Sequence, residues 1–353
     1  MLERNSRMIN KKELINHIYS EMLHKCLNGT ETVDNPYHLE KTVLDHTIMV
    51  LNKVEDLFKN DKDYKVLMFG AALHDLGKIF TREVVTKDDG TVKVRFLNHE
   101  NVGVYYACDV LSKFNLSEEE IIKIIKIVVY HDIYKYDIDK LKRKFNYDDL
   151  QLLCKFSICD SLGRVTHTPK STDIYKQIRL LKPYETKPID ITKPTITMLI
   201  GVPGVGKSTL CNQYKNVISR DDILMSYGKT KFNLNTYSEI WSKLSQDDQK
   251  EIDNIFKFKL NRLLQQGKDI VIDKTNTSMK SRKSLLNSSS LIKNYNKVAI
   301  VMLCPYNTIL ERIKKRSLET GKEVSKDIVD NFIKSMCLPT LEEFDKIAFK
   351  WSI

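Results

Sequence analysis

At 353 residues the chain exceeds what one hydrophobic core usually holds, and 42% hydrophobic residues make it globular rather than disordered, so two domains are expected. No run approaches the ~20 apolar residues that span a bilayer, and the polar start MLERNSRMINKKEL lacks a secretion signal, so the expectation is a cytoplasmic protein with no membrane partner. The net charge is +11, of which about +9 falls in residues 194–353, a bias toward phosphate-rich partners, and seven cysteines without a CxxC exclude a disulfide framework and a structural zinc site.

Apolar residues spaced by three and four predict helices over residues 8–26, 39–59, 63–74, 99–113, 117–131 and 146–163. Between the third and fourth of these, REVVTKDDGTVKVRF alternates around an Asp-Gly turn, the pattern of a small hairpin. Residues 1–182 therefore read as a nearly all-α domain. The stretch LKPYETKPIDITKP, residues 181–194, holds three of the eight prolines and no helical period, which marks a linker over 183–194. Beyond it, TITMLIG, KNVIS, DIVID and KVAIVMLC are short β-rich runs, each followed by a helical stretch. That alternation predicts an α/β domain with a parallel sheet over 195–353.

All eight histidines lie between residues 17 and 167. LDHT supplies His46, AALHDLGK supplies His74 and Asp75 at a helix end, LNHENVG supplies His99, VVYHD supplies His131, and ICDSLGR supplies Asp160. Imidazole nitrogens and carboxylate oxygens together suit a divalent transition metal, and helices can bring such distant ligands to one centre. His17, His24, His38 and His167 are expected to be structural. The ordered series, carried by NPYHLEKTVLDHT, LHDLGK and FLNHENVG, resembles the HD phosphohydrolase superfamily over about residues 30–165, and particularly the HD domains attached to bacterial tRNA nucleotidyltransferases. The resemblance implies that His46, His74, Asp75 and Asp160 hold one metal. His99 and His131 would hold a second, with Asp75 bridging, and both one and two ions stay open. It also implies a metal-activated water that attacks phosphorus, with Lys78 or Arg164 steadying the phosphate oxygens.

In the second half, GVPGVGKST places Gly201, Gly204, Val205, Gly206, Lys207, Ser208 and Thr209 between a strand and a helix start. This GxxxxGK[ST] pattern turns backbone N–H groups around the phosphates of ATP, with Lys207 on the β- and γ-phosphates and Ser208 on Mg²⁺. SRDD, residues 219–222, offers Asp221 at a strand end as a proton acceptor. DIVIDKTN, residues 269–276, ends a strand in Asp273, a second candidate for the Mg²⁺ shell, followed by Thr275 and Asn276 as polar contacts. Arg312 and Arg316 lie four apart and share a helix face, where they could neutralise a moving phosphoryl group or form a solvated basic face.

These motifs, over roughly residues 195–340, resemble the phage and bacterial 5′-hydroxyl polynucleotide kinases. The resemblance implies that Asp221 is the general base on a 5′-OH. Lys207, Arg312 and Arg316 would stabilise the transferred phosphoryl group, and Arg282 would lie near the DxTN helix as a substrate contact. One position departs from the phage pattern, with Leu224 where an arginine follows the base. The chain as a whole resembles bifunctional end-healing enzymes that fuse an HD 2′,3′-phosphoesterase to a polynucleotide kinase. That implies RNA or DNA ends as substrate and a ligase acting downstream. Two other readings stay open: an HD nucleotidase joined to a nucleoside or small-molecule kinase, and a nucleotide-driven adaptor without catalysis.

Overall fold

The computed structural model describes residues 39–40, 42–167 and 172–353. The expected helix over 8–26, His17, His24, His38 and Cys26 lie outside the described residues. The chain divides into two compact units, Met1–Thr186 and Lys187–Ile353.

The first unit is helical because its periodic segments are well started and strongly apolar. Helix α1 (Val43–Phe58) opens with a capping box in which Thr42 and Asp45 satisfy each other's backbone N–H groups. Helix α2 (Tyr64–Leu73) reads YKVLMFGAAL, apolar on all sides, and it is buried from Val66 to Leu73. A helix of that kind has to be central. After it come the short α3 (Lys78–Thr81), the antiparallel hairpin β1 (Arg82–Thr86) and β2 (Val92–Phe96), and α4 (His99–Leu111). Helix α5 (Glu118–Tyr130) starts at a Ser117/Glu120 capping box, and α6 (Ile138–Lys144), α7 (Tyr147–Leu162) and α8 (Asp173–Arg179) follow. Helix α2 packs against α1, α5 and α7, so its C-terminal end emerges among the other long helices.

No helix or strand lies between Arg179 and Thr195. The proline-containing segment is nevertheless fastened at each end within its own unit. Tyr184 donates its hydroxyl to the Phe145 carbonyl at 2.9 Å, and Asn296 donates to the carbonyls of Asp190 and Lys193.

The second unit begins with β3 (Thr195–Ile200), buried from its second residue on. Then come α9 (Lys207–Cys211), β4 (Val217–Ser219), α10 (Arg220–Phe232), α11 (Tyr237–Lys243), α12 (Gln246–Gln265), β5 (Ile270–Asp273), α13 (Met279–Leu286), β6 (Asn296–Leu303), α14 (Tyr306–Thr320), α15 (Lys326–Lys334) and β7 (Lys346–Trp351). The strands form one parallel sheet in the order β4-β5-β3-β6-β7. The chain winds to one side of β3 and then to the other. A crevice therefore opens at the carboxyl end of β3, where such sheets bind their ligands.

Strand β7 is absent from the sequence reading. It lies at the sheet edge, only half buried and with exposed lysines at positions 346 and 350, so it lacks the apolar run that betrays a central strand. The described cysteines are free, and all but Cys337 are buried. No helix among the described residues is long and apolar enough to cross a membrane.

Candidate active sites

In the first unit the metal-type side chains converge at the end of α2. His46 projects from α1 and Asp160 from α7, while His74 and His131 sit at the C-terminal ends of α2 and α5 and His99 opens α4. The ligand atoms of His46, His74 and Asp75 lie within 4.8 Å of one another, as do those of Asp75, His99 and His131. Asp75 belongs to both groups. Asp160 Oδ1 lies 3.0 Å from His46 Nε2 and 3.8 Å from His74 Nε2, adjoining the first group.

The glycine of HDLGK makes this convergence possible. A Cβ on Gly77 would stand 1.8 Å from the His99 carbonyl oxygen, so only glycine lets the first turn of α4 approach Asp75. His99 Nε2 then lies 3.3 Å from Asp75 Oδ1.

The ring orientations are those of metal ligands. His74 Nδ1 donates to Ala71 O at 2.9 Å, His99 Nδ1 to Phe96 O at 3.0 Å, and His131 Nδ1 to Val128 O at 2.9 Å. A carbonyl can only accept, so each Nδ1 carries the proton and each Nε2 is turned to the shared centre. His46 Nδ1 is held likewise by Gly163 O at 3.1 Å and by Glu40 Oε1 at 3.3 Å. The Nε2 atoms of His46 and His74 face each other at 3.2 Å, and the buried Nε2 of His99 makes no hydrogen bond. Converging nitrogens and an orphaned buried acceptor fit a divalent cation.

The electrostatics agree. Burial disfavours a charged His46, yet hydrogen bonds to Asp160 and Glu40 and the nearby carboxylate charges outweigh it and raise its pKa to about 9. Burial also works against the charge on Asp75 and Asp160. For Asp75 it is overcome by His74 and Lys78, for Asp160 by Arg164 and His46, and both carboxyls are held well below their usual range. His131, unlike His46, is pushed down by burial. Lys78 donates to Asp75 Oδ2 at 2.6 Å and Arg164 to Asp160 Oδ2 at 2.5 Å, so both cations stand at the centre with part of their charge committed to its carboxylates. Glu40, which lies against His46 Nδ1, is within the NPYHLEKTVLDHT stretch but is not singled out by the sequence reading. His167 takes no part in either group.

In the second unit, Gly201, Gly204 and Gly206 have φ of 157°, 87° and 95°, the left-handed region that lets the loop turn its N–H groups inward. Val205 is wholly buried, so only its backbone can reach a phosphate. Lys207 is buried and folded back, donating to Gly201 O at 2.8 Å and Val202 O at 2.9 Å, and burial lowers its pKa to about 8. Ser208 donates to Asp273 Oδ2 at 3.2 Å, and burial raises the Asp273 pKa. Two such oxygens side by side suit a hard cation such as Mg²⁺.

A cavity of about 1270 Å³ lies over the loop, lined by Lys207, Ser208, Asp221, Asp273, Arg312 and Arg316 among others. Thr209 and Thr275 also line it. Arg312 is steadied by Ser352 Oγ at 3.0 Å, a contact supplied by the chain just beyond β7. Asp221 is paired with Lys322 and accepts from the Tyr237 hydroxyl at 3.4 Å. Lys322 is buried and stands 3.9 Å from the centre of the Tyr237 ring. Lys322 and Tyr237 are site residues that the sequence reading missed. The only local signal is the Gly321 stop of α14, which sets the following lysine against Asp221.

Two expected substrate contacts are corrected. Arg282 is fully buried and its donors are spent, Nε and Nη2 on Glu343 at 3.0 and 2.9 Å and Nη1 on the carbonyls of Asn276, Thr277 and Cys337. Asn276 is also buried and donates to Leu199 O at 2.8 Å, bracing the end of β3. Neither lines the cavity. Leu224 is wholly buried in α10, so nothing at that position faces an acceptor.

Residues 43–143 match the HD domain family and residues 196–339 match an AAA domain family. The chain thus carries a helical HD domain followed by a five-stranded parallel-sheet domain consistent with a P-loop kinase fold. No curated protein matches it. Among solved structures it is similar to a candidate kinase from Chloroflexus aurantiacus j-10-fl, with 15% identity and a TM-score of 0.35 over 46% of this chain and 87% of that one. It is also similar to the Pnkp1/Rnl/Hen1 RNA repair complex, with 20% identity and a TM-score of 0.34 over 42% of this chain. The latter match spans about half of its counterpart, 49%.

Proposed function

We propose that the protein heals broken nucleic-acid ends, RNA foremost and DNA as a further substrate. The HD centre hydrolyses a 2′,3′-cyclic phosphate or a 2′- or 3′-phosphate, and the P-loop unit phosphorylates a 5′-OH from ATP. The observation that carries the reading is that Asp221, Lys207, Ser208 and Asp273 line one cavity of about 1270 Å³. That exceeds the roughly 300–1,000 Å³ of a small-molecule pocket and leaves room for an acceptor beside ATP.

In the kinase reaction the 5′ oxygen bonds to the γ-phosphorus, the bond to the β–γ bridging oxygen breaks, and ADP leaves. The hydroxyl proton passes to Asp221. Lys207, Arg312 and Arg316 balance charge on the moving group, and Ser208 and Asp273 hold Mg²⁺. Thr275 contacts the substrate from the cavity wall.

At the other centre His46, His74, Asp75 and Asp160 would hold one divalent transition metal ion, and Asp75, His99 and His131 would be the ligands of a second where two bind. Such an ion supplies an acidified water and a counter-charge for phosphate oxygens. Lys78 and Arg164 orient the carboxylates and offer their remaining donors to the phosphate. The products, a freed 2′ or 3′ end and a 5′-phosphate, are what a downstream ligase needs.

The test is mass spectrometry of one RNA oligonucleotide bearing a 5′-OH and a 2′,3′-cyclic phosphate, after incubation with the protein, ATP, Mg²⁺ and Mn²⁺. Change at both ends is expected. An unaltered oligonucleotide alongside phosphorylated or hydrolysed mononucleotides would replace this reading with nucleotide metabolism.

A further inference from the structure

Trp241 leaves half of its surface, 50%, uncovered, and it does so inside the kinase cavity. Four residues earlier on the same helix, Tyr237 lies with its ring nearly parallel to that of Trp241, 9° apart with centroids at 6.0 Å. The Tyr237 hydroxyl reaches Asp221, and Lys322 lies over its ring. Ser238 clamps the helix to the loop after α14 by donating to Gly321 O at 2.6 Å. An aromatic array therefore starts at the proton-accepting carboxylate and runs outward along α11. Val324, Ile328 and Phe332 give the same cavity further apolar lining.

Resting on the kinase reading above, we infer that Trp241, backed by Tyr237, is the stacking platform for the nucleobase of the acceptor's 5′-terminal nucleotide. A molecule that presents its hydroxyl to Asp221 and carries a flat ring can lay that ring on the exposed indole. A polyol offers no such ring. Stacking tolerates every base because each has a π-face, so the platform selects nucleotides without selecting sequence. Trp241 is then a specificity-determining residue, and Tyr237 a positioning residue that ties the platform to the base.

The experiment compares wild type, Trp241→Ala and Trp241→Phe on two 5′-OH oligonucleotides that differ only in whether the terminal residue carries a base or is abasic. Trp241→Ala is expected to lower kcat/KM on the base-bearing end by on the order of 5- to 150-fold, the size of an aromatic–base stack. The abasic end should be nearly unaffected by the change, and Trp241→Phe should restore most of the loss. An equal loss on both ends, or no loss on either, overturns the platform while leaving the kinase reading intact. Failure of wild type to phosphorylate either end overturns both.

Fluorescence supplies a second measurement that does not depend on an alanine variant folding. Only two tryptophans are present, so in Trp351→Phe the emission belongs to Trp241 alone. Saturable quenching by the base-bearing oligonucleotide and none by the abasic one is expected, and identical responses to the two would overturn the assignment.

Discussion

Lys207 holds a charge where charge is costly. It is buried among loop carbonyls that orient its ammonium group but bring no full negative charge, and burial lowers its pKa to about 8. The phosphates of ATP would bring that charge and raise the pKa again. Binding therefore takes up a proton wherever free Lys207 is neutral and bound Lys207 is charged, which is the window above about pH 8. Affinity for ATP should be flat below that pH and should fall as pH rises through it, by up to about tenfold per unit. Calorimetry at pH 9 in two buffers of different ionisation enthalpy measures the uptake directly. Lys207→Arg, whose guanidinium stays charged, should show none, and equal uptake in that variant would move the titration to another group.

At the scale of elements, legibility followed the strength of the local signal. The long amphipathic helices and buried strands β3, β5 and β6 declare themselves by period and apolar runs. Strand β7 does not, since an edge strand with half-exposed faces resembles a loop until its partner is known. The same limit applied within the sites. His46, His74, Asp75, His99 and His131 stand in motifs whose spacing is visible, whereas Lys322 reaches Asp221 only through the fold.

Arg282 shows the converse error, in which a basic residue beside a functional motif is read as a ligand contact. Its bidentate pair with Glu343 joins α13 to the segment leading into β7. Removing one partner of a buried pair leaves the other charge uncompensated, at a cost of about 3–5 kcal/mol. Arg282→Ala should therefore lower the melting temperature of the second unit by on the order of 10 °C. Arg282→Met with Glu343→Leu should recover only part of this, because the carbonyls of Asn276, Thr277 and Cys337 still lose their donor. A variant that melts normally and loses only acceptor affinity would return Arg282 to the substrate site.

For the whole molecule, among the described residues the ligand atoms of the metal-type centre come from residues 46–160 and the groups lining the cavity over the P-loop from residues 203–353. Each set has ion-pair partners inside its own unit, Lys78 for Asp75 and Lys322 for Asp221. Changes at sites without shared partners add to within about 0.5 kcal/mol, roughly a twofold effect on a rate. Asp75→Ala removes the ligand common to both metal groups, so phosphoesterase activity should fall by more than about 100-fold while 5′-phosphorylation stays within about twofold. Lys207→Ala should do the reverse, since it deletes the charge proposed to stabilise the transferred phosphoryl group. Both activities are measured on the same purified variants, with thermal melting to establish that each unit is folded. A folded Asp75→Ala protein that also lost its kinase activity would mean that the HD centre supplies something the kinase reaction needs, and the two-site account would have to give way to a single shared site.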